Sequence, residues 1–418
     1  MSDATAGEDV ESFRLRARAW LAENMPPQPD EPFAHTDPAR WPRAKELQRL
    51  LFDAGFAGLC FPKAYGGQGL SLAYQQAFDA EVKHYEMPLT LNVPTFGIIA
   101  ATLLEFGNEE QKERYLPPIL SGEEVWVQLL SEPTGGSDLA SVMTRATPDA
   151  DDFVLSGSKV WSSGAYAADY GICVARTNWD VPKHDGISVL IVKMDQPGVT
   201  VERIRGVAGD DEFCQEFFDD VRIPAANVLG EVDAGWTVVR GLLAHERNSM
   251  GGASPFVSGG GLTAPSRQDE ILALARRLGR TGDPRVRQLV AEAHVLGLVQ
   301  DQTSHRVTGA MMRGELGPPA GAILRLMGAR TAVRRSDIAL EISGADTGVW
   351  QADDPDGGLV GNQFLARQGS ELGGGSTEIQ RNIISERLLE MPREPAADRG
   401  VPFSQVRRNA MPTKQGSG

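Results

Sequence analysis

The sequence predicts an α+β multidomain fold, with an N-terminal α-helical domain, a central antiparallel β domain and a C-terminal α-helical domain of the four-helix-bundle kind. Three observations predict this order. Apolar residues recur at helical spacing in residues 1–124, short apolar runs alternate with turn residues in residues 125–235, and helical spacing returns in residues 236–393. At 418 residues the chain is long enough for two or three domains. Residues 394–418 show little apolar periodicity, and we expect a tail that is disordered or lies on a partner surface.

The first domain is predicted to be helical because its apolar residues repeat every three or four positions. Its predicted helices cover residues 10–21, 41–52, 74–84 and 98–106. Pro26, Pro27 and Pro29 follow the first helix and end it, since proline lacks the N–H that a helix interior needs. The run PKAYGGQG at residues 62–69 predicts a tight loop.

The second domain is predicted to be a barrel or a sandwich. Its predicted strands cover residues 125–130, 152–155, 159–162, 170–176, 186–195 and 212–218. Parallel strands need a crossover of roughly a dozen residues or more, usually a helix. The connections between these runs look too short for such crossovers, so we expect antiparallel strands.

The third domain is predicted to be helical again, with a long loop near its start. Its predicted helices cover residues 236–247, 269–278, 286–314, 319–343 and 377–390. Residues 249–266 are rich in Gly, Ser and Pro and predict a mobile loop. Thr377 followed by Gln380 predicts a capping box at the start of the last helix, and Pro392 ends that helix.

The composition argues against several classes of function. A formal net charge of −15 disfavours binding to nucleic acid or to an anionic membrane. The six histidines show no metal-ligand spacing, and the sequence contains neither a P-loop nor a nucleophile elbow. The three cysteines have no paired spacing, and the N-terminus lacks the basic and apolar regions of a signal peptide. We therefore expect a cytoplasmic protein with buried thiols, no metal and no membrane span.

Two distant regions place small residues, backbone donors and hydroxyls at predicted bends. One is residues 130–138, LSEPTGGSD, followed by residues 159–163, KVWSS; the other is residues 373–382, GGGSTEIQRN. Glycines leave backbone N–H groups accessible, as a flat ring with a phosphate tail requires. Trp161 and Ser163 are two residues apart on a predicted strand, which would place them on one face. From these residues alone, an ordinary β-turn and a core tryptophan with a satisfied serine are the alternatives.

Six segments in the same order resemble motifs of the acyl-CoA dehydrogenase family, from about residue 10 to residue 393. They are residues 130–138, 159–163, 217–224 (FFDDVRIP), 229–236 (LGEVDAGW), 243–247 (LAHER) and 375–387 (GSTEIQRNIISER). Ser131 and Ser163 stand where the family usually has threonine. The resemblance implies the acyl-CoA dehydrogenase fold and an FAD enzyme that oxidises an acyl-CoA thioester to the trans-2-enoyl-CoA.

The same resemblance implies which residues meet the cofactor and the substrate. The cofactor positions are Gln128, Leu130, Ser131, Gly136, Ser137, Trp161, Ser163, Glu341, Gly344, Ser376 and Glu378. Ser137 and Arg247 lie where the family contacts the acyl-CoA. The family passes its electrons to an electron-transferring flavoprotein and builds its FAD site across subunits. This implies a homodimer or homotetramer, or else a hetero-oligomer.

The reaction needs a carboxylate base that reaches the α-carbon of the thioester. Many family members place this base just before the G-T of the C-terminal motif, where this chain has Gly374. The backbone N–H of Gly374 would still be able to polarise the thioester carbonyl. Other members place the base in the E-R pair that Glu246 and Arg247 match, and Glu246 follows an aliphatic helix face, where a carboxylate is unusual. A structural Glu246 paired with an arginine, and Glu371 as the base, are the alternatives.

Two departures concern the AMP half of the FAD site. The family's R-x-x-F-G is replaced by ARRLG at residues 275–279, in a shifted register, and the glutamine of its Q-x-x-G-G is replaced by Glu341. They indicate a divergent subfamily or a subunit that binds flavin weakly. The glycine-rich run at residues 251–261 predicts either a pocket widened for a branched, cyclic or steroid-derived acyl chain or a plain surface loop. The rival functions are a non-catalytic subunit of a mixed oligomer and an oxidase.

Overall fold

The computed structural model describes residues 7–29, 37, 39–250, 254–257, 270–349 and 355–406. Helices precede and follow a mostly antiparallel sheet, which confirms the predicted fold class. The first helices are α1 (Val10–Asn24), α2 (Arg40–Asp53), α3 (Leu72–Glu81), α4 (Leu89–Leu91), α5 (Ala101–Phe106) and α6 (Glu109–Leu120). A π-helical stretch, Asn92–Ala100, joins α4 to α5. The predicted domain boundaries stay predictions.

The predicted helices omitted α6. Its start carries a capping box, since the Asn108 side chain accepts from Gln111 N at 2.8 Å and the Gln111 side chain accepts from Asn108 N at 3.2 Å. Pro117 and Pro118 lie within its last turns. Prolines usually mark a helix end, so they concealed a helix whose inner face, including Leu116, is fully buried.

The helical run Leu89–Phe106 is long and apolar enough to cross a membrane, judged by length and composition alone. In this fold 71% of it is buried. Phe96, Ile98 and Leu103 belong to the main hydrophobic core together with Trp126 of the sheet. A core helix passes the same test of length and hydropathy, and packing against the sheet accounts for the apolar character of this one.

In the described part of the chain, eight strands form one sheet. They are β1 (Trp126–Leu129), β2 (Arg145–Asp149), β3 (Asp152–Ser163), β4 (Tyr170–Arg176), β5 (Ile187–Lys193), β6 (Val199–Arg203), β7 (Phe213–Pro224) and β8 (Val228–Leu229). Their order is β6-β7-β3-β2-β4-β5-β8, and β1 pairs with β4. The β1–β4 pair is parallel, unlike the predicted pattern. The β2–β3 hairpin lies between these two strands in the chain and makes their connection long enough for a crossover.

The remaining helices form the C-terminal part. They are α7 (Gly235–Met250), α8 (Glu270–Arg277), α9 (Pro284–Met312), α10 (Gly321–Ser343), α11 (Pro355–Ala366) and α12 (Thr377–Ile383). The predictions omitted α11, whose sequence is rich in glycine. Ser249 belongs to α7 and not to the predicted loop, and its Oγ donates to Gly97 O at 2.8 Å. Most of that loop, residues 251–253 and 258–266, lies outside the described residues.

Residues 394–406 differ from the predicted disordered or partner-bound tail. Phe403 is buried, and the Arg176 guanidinium lies 3.9 Å from the centroid of its ring. Phe403 N also donates to Val181 O at 2.8 Å. An aromatic anchor and a backbone hydrogen bond therefore attach this stretch to the β domain of its own chain. The rest of the predicted tail, residues 407–418, lies outside the described residues.

Candidate active site

Helix α7 places Glu246 against strand β1. Gln128 on β1 donates from Nε2 to Glu246 Oε2 at 3.2 Å. Val239 and Leu242, on the same side of α7, are fully buried, whereas Glu246 is half-buried. The aliphatic face thus fixes the helix on the core and leaves the carboxylate at the junction of α7 and β1.

The surroundings of Glu246 favour a base with a raised pKa. Burial raises the pKa of Glu246, against the lowering effects of the Gln128 hydrogen bond and of the Arg247 and Arg325 charges. Such a carboxyl is a stronger base than an exposed one. The alternative base, Glu371, lies at the end of a 3-10 turn in the loop before α12. Among the described residues, no hydrogen bond or ion pair joins Glu371 to Gln128 or Arg325.

The loop before α12 brings Gly374 to the same place as Glu246. Gly374 and Gly375 have φ values of +69° and +87°, in the left-handed region that glycine adopts most readily. A Cβ on Gly374 would lie 3.5 Å from Glu246 Oε1 and 3.0 Å from Arg325 Nε. The two base positions that the sequence motifs suggested therefore converge on one point of the fold.

Two side chains from outside this loop hold its carbonyl groups. Gln380 Nε2 donates to Gly374 O at 3.0 Å. Arg325 Nε donates to Gly373 O at 3.0 Å, and its Nη2 donates to Ser370 O at 2.7 Å. Sequence reasoning missed Arg325, which lies on α10 and carries no motif. Its partner Gly373 is 48 residues away, so no local pattern signals the contact.

A buried ion pair joins the two segments predicted to surround the flavin ring. Lys159 Nζ lies 2.8 Å from Glu132 Oε1 and donates to Leu130 O at 3.0 Å. The Glu132 carboxylate also accepts from Met143 N at 2.6 Å and from Thr144 N at 2.9 Å. Burial alone would raise the pKa of Glu132, but the Lys159 charge and these hydrogen bonds lower it below its ordinary value. The pair therefore fixes the SEP turn on β3.

Glu216 lies directly opposite Lys159 in the β3–β7 ladder and is fully buried. Its Oε2 accepts from Ser162 Oγ at 2.9 Å, and no hydrogen bond to its Oε1 is seen in the described part of the chain. Burial raises the pKa of Glu216 to about 7, against the lowering effects of the Ser162 hydrogen bond and the Lys159 charge.

We expect Glu216→Gln to stabilise the protein at alkaline pH only. The folded pKa is raised, so the contribution of Glu216 to stability is fully present below about pH 4.5 and is lost as the pH rises through 7. The free energy of unfolding should increase by on the order of 3 kcal/mol at high pH and change little at low pH. Thermal unfolding of both proteins at acid and alkaline pH measures this, with the exposed Glu202→Gln on β6 as control. Equal shifts at both pH values would contradict the assignment.

Trp161 lies at a β-bulge, where the pairing with β7 shifts between Val160 and Ser162. Its φ is +67°, its side chain is 58% exposed, and its ring meets Phe213 edge-on at 5.8 Å. The bulge interrupts the regular alternation that was used to place Trp161 and Ser163 on one face, so that argument does not hold here. Neither of the two side chains is buried, and both remain candidates for contact with a cofactor.

The surroundings of Ser131 fit a flat heteroaromatic cofactor. Ser131 O accepts from Val160 N at 2.9 Å, which fixes the segment on β3. The hydroxyls of Ser131 and Ser163 have no hydrogen-bond partner within the described residues, so both are available to a ligand. Gly136 lies close by, since a Cβ on it would be 3.8 Å from Ser131 Oγ, and Ser137 is exposed. Free hydroxyls beside accessible glycine backbone are the donor set that a flavin ring would use.

Glu341 and Gly344 take part in a different set of contacts. The Glu341 carboxylate lies 2.9 Å from Arg285 Nη2 and 2.9 Å from Arg334 Nη1. A Cβ on Gly344 would lie 2.9 Å from Arg280 Nη1. Arg280, which the sequence reasoning did not single out, therefore supplies a cation beside this segment.

Ser376 caps α12, with its Oγ accepting from Ile379 N at 3.3 Å. The predicted capping box between Thr377 and Gln380 was wrong, because the Gln380 side chain turns back to the glycine loop. Glu378 is exposed in the first turn of α12 and accepts from Thr377 Oγ1 at 3.1 Å. A carboxylate in that position is favoured by the helix dipole whether or not a ligand is bound.

Comparison with known proteins agrees with this layout. Residues 7–123, 128–221 and 233–389 match the N-terminal, middle and C-terminal domains of acyl-CoA dehydrogenase. Acyl-CoA dehydrogenase IpdE1 of Mycobacterium tuberculosis is 35% identical over 395 residues, which are 93% of this chain and 99% of that protein. The chain belongs to the acyl-CoA dehydrogenase family. IpdE1 of Mycolicibacterium smegmatis is 34% identical to this family member over 92% of this chain and 99% of that protein.

Solved acyl-CoA dehydrogenase structures share the fold. The Tcur3481-Tcur3483 steroid ACAD superposes with a TM-score of 0.73 at 29% identity, covering 93% of this chain and 99% of that one. The ChsE4-ChsE5 complex from Mycobacterium tuberculosis gives a TM-score of 0.68 at 27% identity, covering 94% and 100%. As an acyl-CoA dehydrogenase the protein is an oxidoreductase, and its family consists of flavoproteins that generally use FAD.

Proposed function

We propose that this protein catalyses the FAD-dependent α,β-dehydrogenation of an acyl-CoA thioester to the trans-2-enoyl-CoA, with Glu246 as the base. The observation that carries the proposal is the Glu246 carboxylate, which is half-buried, bonded to Gln128 at 3.2 Å and placed beside Gly374. A carboxyl with a raised pKa in a partly apolar site is suited to proton abstraction near neutral pH.

Gln128, Glu246 and Gly374 have separate roles in removing the proton. Gln128 holds Oε2 of Glu246, which leaves Oε1 on the side of Gly374, where it takes the α-proton. The backbone N–H of Gly374 polarises the thioester carbonyl as the enolate develops. Bound FAD would accept the β-hydride at N5 of its ring. Because hydride transfer depends on orientation, the surrounding residues act mainly by fixing the substrate against the ring.

We assign the cofactor and the substrate to residues around this centre, and Ser137 belongs to both sets. We assign the flavin ring and the part of FAD next to it to Gln128, Leu130, Ser131, Gly136, Ser137, Trp161 and Ser163. The rest of FAD is assigned to Glu341, Gly344, Ser376 and Glu378. Arg247 and Ser137 contact the acyl-CoA in this proposal. A related structure is named a steroid ACAD, which supports a bulky, steroid-derived acyl chain as the substrate class. Electrons would pass to an electron-transferring flavoprotein, from a cytoplasmic homo-oligomer.

A flavin-poor subunit of a mixed oligomer is the second candidate. Two observations favour it: ChsE4-ChsE5 is a complex of two proteins, and Glu341, at the position where the family has glutamine, is held by two arginines. In that case the chain would complete a site carried by another subunit. The oxidase alternative has no comparable support from the described residues, but the same experiment separates it.

We expect the chain purified alone to be yellow and to reduce an artificial dye with an acyl-CoA. The test is a visible spectrum followed by dye reduction with a panel of straight-chain, branched and steroid-derived acyl-CoA thioesters. A colourless protein that takes up no FAD would favour the mixed-oligomer subunit. Rapid peroxide formation in air would favour an oxidase. Bound flavin that no thioester in the panel reduces would remove the proposed reaction.

A further inference from the structure

We propose that Arg325 is a positioning residue of this site, which fixes the glycine loop beside Glu246 and supplies the positive charge that balances its carboxylate. The inference rests on the proposed function for its kinetic consequences. The contacts of Arg325 with the glycine loop and its position near Glu246 do not depend on which reaction the enzyme catalyses. Neither the sequence motifs nor the comparisons assign a role to Arg325.

Arg325 holds the glycine loop through its carbonyl groups. Arg325 is half-buried on α10 and donates from Nε to Gly373 O at 3.0 Å and from Nη2 to Ser370 O at 2.7 Å; Nη2 also contacts Gly373 O. Residues 370–375 contain two consecutive glycines at positive φ; Gln380 Nε2 donates to the carbonyls of those two glycines, whereas Arg325 holds the carbonyls of Ser370 and Gly373. A planar guanidinium binds two carbonyls in a fixed relative position, which a lysine ammonium does not do. The orientation of the Gly374 N–H therefore depends on Arg325.

The positive charge of Arg325 also lies near the Glu246 carboxylate. A Cβ on Gly374 would lie 3.0 Å from Arg325 Nε and 3.5 Å from Glu246 Oε1, so the guanidinium and the carboxylate face one point from two sides. The groups that act on Glu246 are Gln128 from β1, Arg247 from α7 and Arg325 from α10. Gln128 carries no charge, and Arg247 is already assigned to the acyl-CoA. Arg325 is therefore the cation left to favour the ionised base when the substrate is bound.

Two substitutions separate the clamp from the charge. Arg325→Met removes both, and Arg325→Lys keeps the charge but not the two-carbonyl contact. For Arg325→Met we expect the acid limb of the kcat profile, which reports the substrate complex, to move up by about one to two pH units, because the base loses a nearby cation. For Arg325→Lys we expect an almost unmoved acid limb and a kcat lowered by about ten-fold, because the loop is misplaced. Arg330→Met, at an exposed position on the same helix, serves as control and should match the wild type.

Thermal unfolding tests the role of Arg325 without any turnover, so it also applies if the enzyme catalyses a different reaction. Glu246→Gln should raise the midpoint of thermal unfolding at pH 8, and the increase should be larger in the Arg325→Met background, where the buried carboxylate has lost a balancing charge. If no acyl-CoA is turned over but this difference is found, the proposed function fails and the role of Arg325 stands. Equal increases in both backgrounds, or an acid limb and kcat unchanged in both Arg325 variants, would overturn the inference. If Arg325→Met does not fold, Arg325→Lys is the test: a lowered kcat supports the inference and a normal kcat overturns it.

Discussion

Glu246→Gln should lower kcat for an acyl-CoA substrate by at least about 100-fold, because a positioned general base typically contributes a factor of that size or more. The amide has nearly the same shape as the carboxylate, so it can keep a contact with Gln128 through its oxygen. Flavin binding should therefore persist, and the purified variant should remain yellow. Stopped-flow reduction of the bound flavin and steady-state dye reduction measure the loss.

The pH dependence of stability gives this variant a second readout. Burial raises the pKa of Glu246, so its contribution to stability is present at low pH and is lost as the pH rises through the folded pKa. Glu246→Gln should accordingly unfold at a higher temperature than the wild type at pH 8, and at the same temperature near pH 4. Glu371→Gln is the matched control and should keep near-normal activity. Normal turnover in Glu246→Gln together with a large loss in Glu371→Gln would reassign the base.

Lys159→Met should have the largest effect on stability. It removes the partner of Glu132 from a pair whose side chains are 0% and 4% exposed, and leaves a buried carboxylate uncompensated. Breaking such a pair costs about 3–5 kcal/mol. The same change frees the SEP turn from β3, so we expect FAD affinity to fall as well. Chemical denaturation and equilibrium dialysis against FAD measure the two effects.

The control for this prediction is an exposed ion pair in the same sheet. Arg222 on β7 lies 2.7 Å from Asp149, with side chains that are 63% and 50% exposed. Arg222→Met should cost no more than about 1 kcal/mol, since water screens such pairs. A Lys159→Met variant as stable as Arg222→Met would show that the buried pair has no special role in fixing the turn.

Much of the fold followed from local pattern, and the failures have identifiable causes. Strand β4, Tyr170–Arg176, has the predicted bounds because six consecutive residues, Tyr170–Ala175, are apolar or small, and every residue of the strand after Tyr170 is buried. Strand β2, Arg145–Asp149, was missed because four of its five residues are exposed and polar or proline. Its strand state depends on pairing with β3, which no local pattern shows.

In the candidate site, too, local pattern identified some residues and missed those that depend on long-range contacts. Glu246 was identified because an aliphatic face on its own helix and a sequence motif pointed to it. Arg325 was missed because its partners lie in a loop more than 40 residues further along the chain, and an arginine on an amphipathic helix is ordinary. Arg280 was missed for a related reason: only the fold brings it against Gly344.

The sequence by itself determined the order of helical and β regions, the family, and the choice of Glu246 over Gly374 as the candidate base. These depend on residue type and on spacing along one element, which periodicity and motif order record directly. Only the tertiary structure decided that Glu246, Gln128 and the Gly374 loop meet at one point, and that Arg325 holds that loop. Such contacts join residues far apart in the chain, and they arise when separate elements bury their apolar faces together, so no local stretch of sequence contains them.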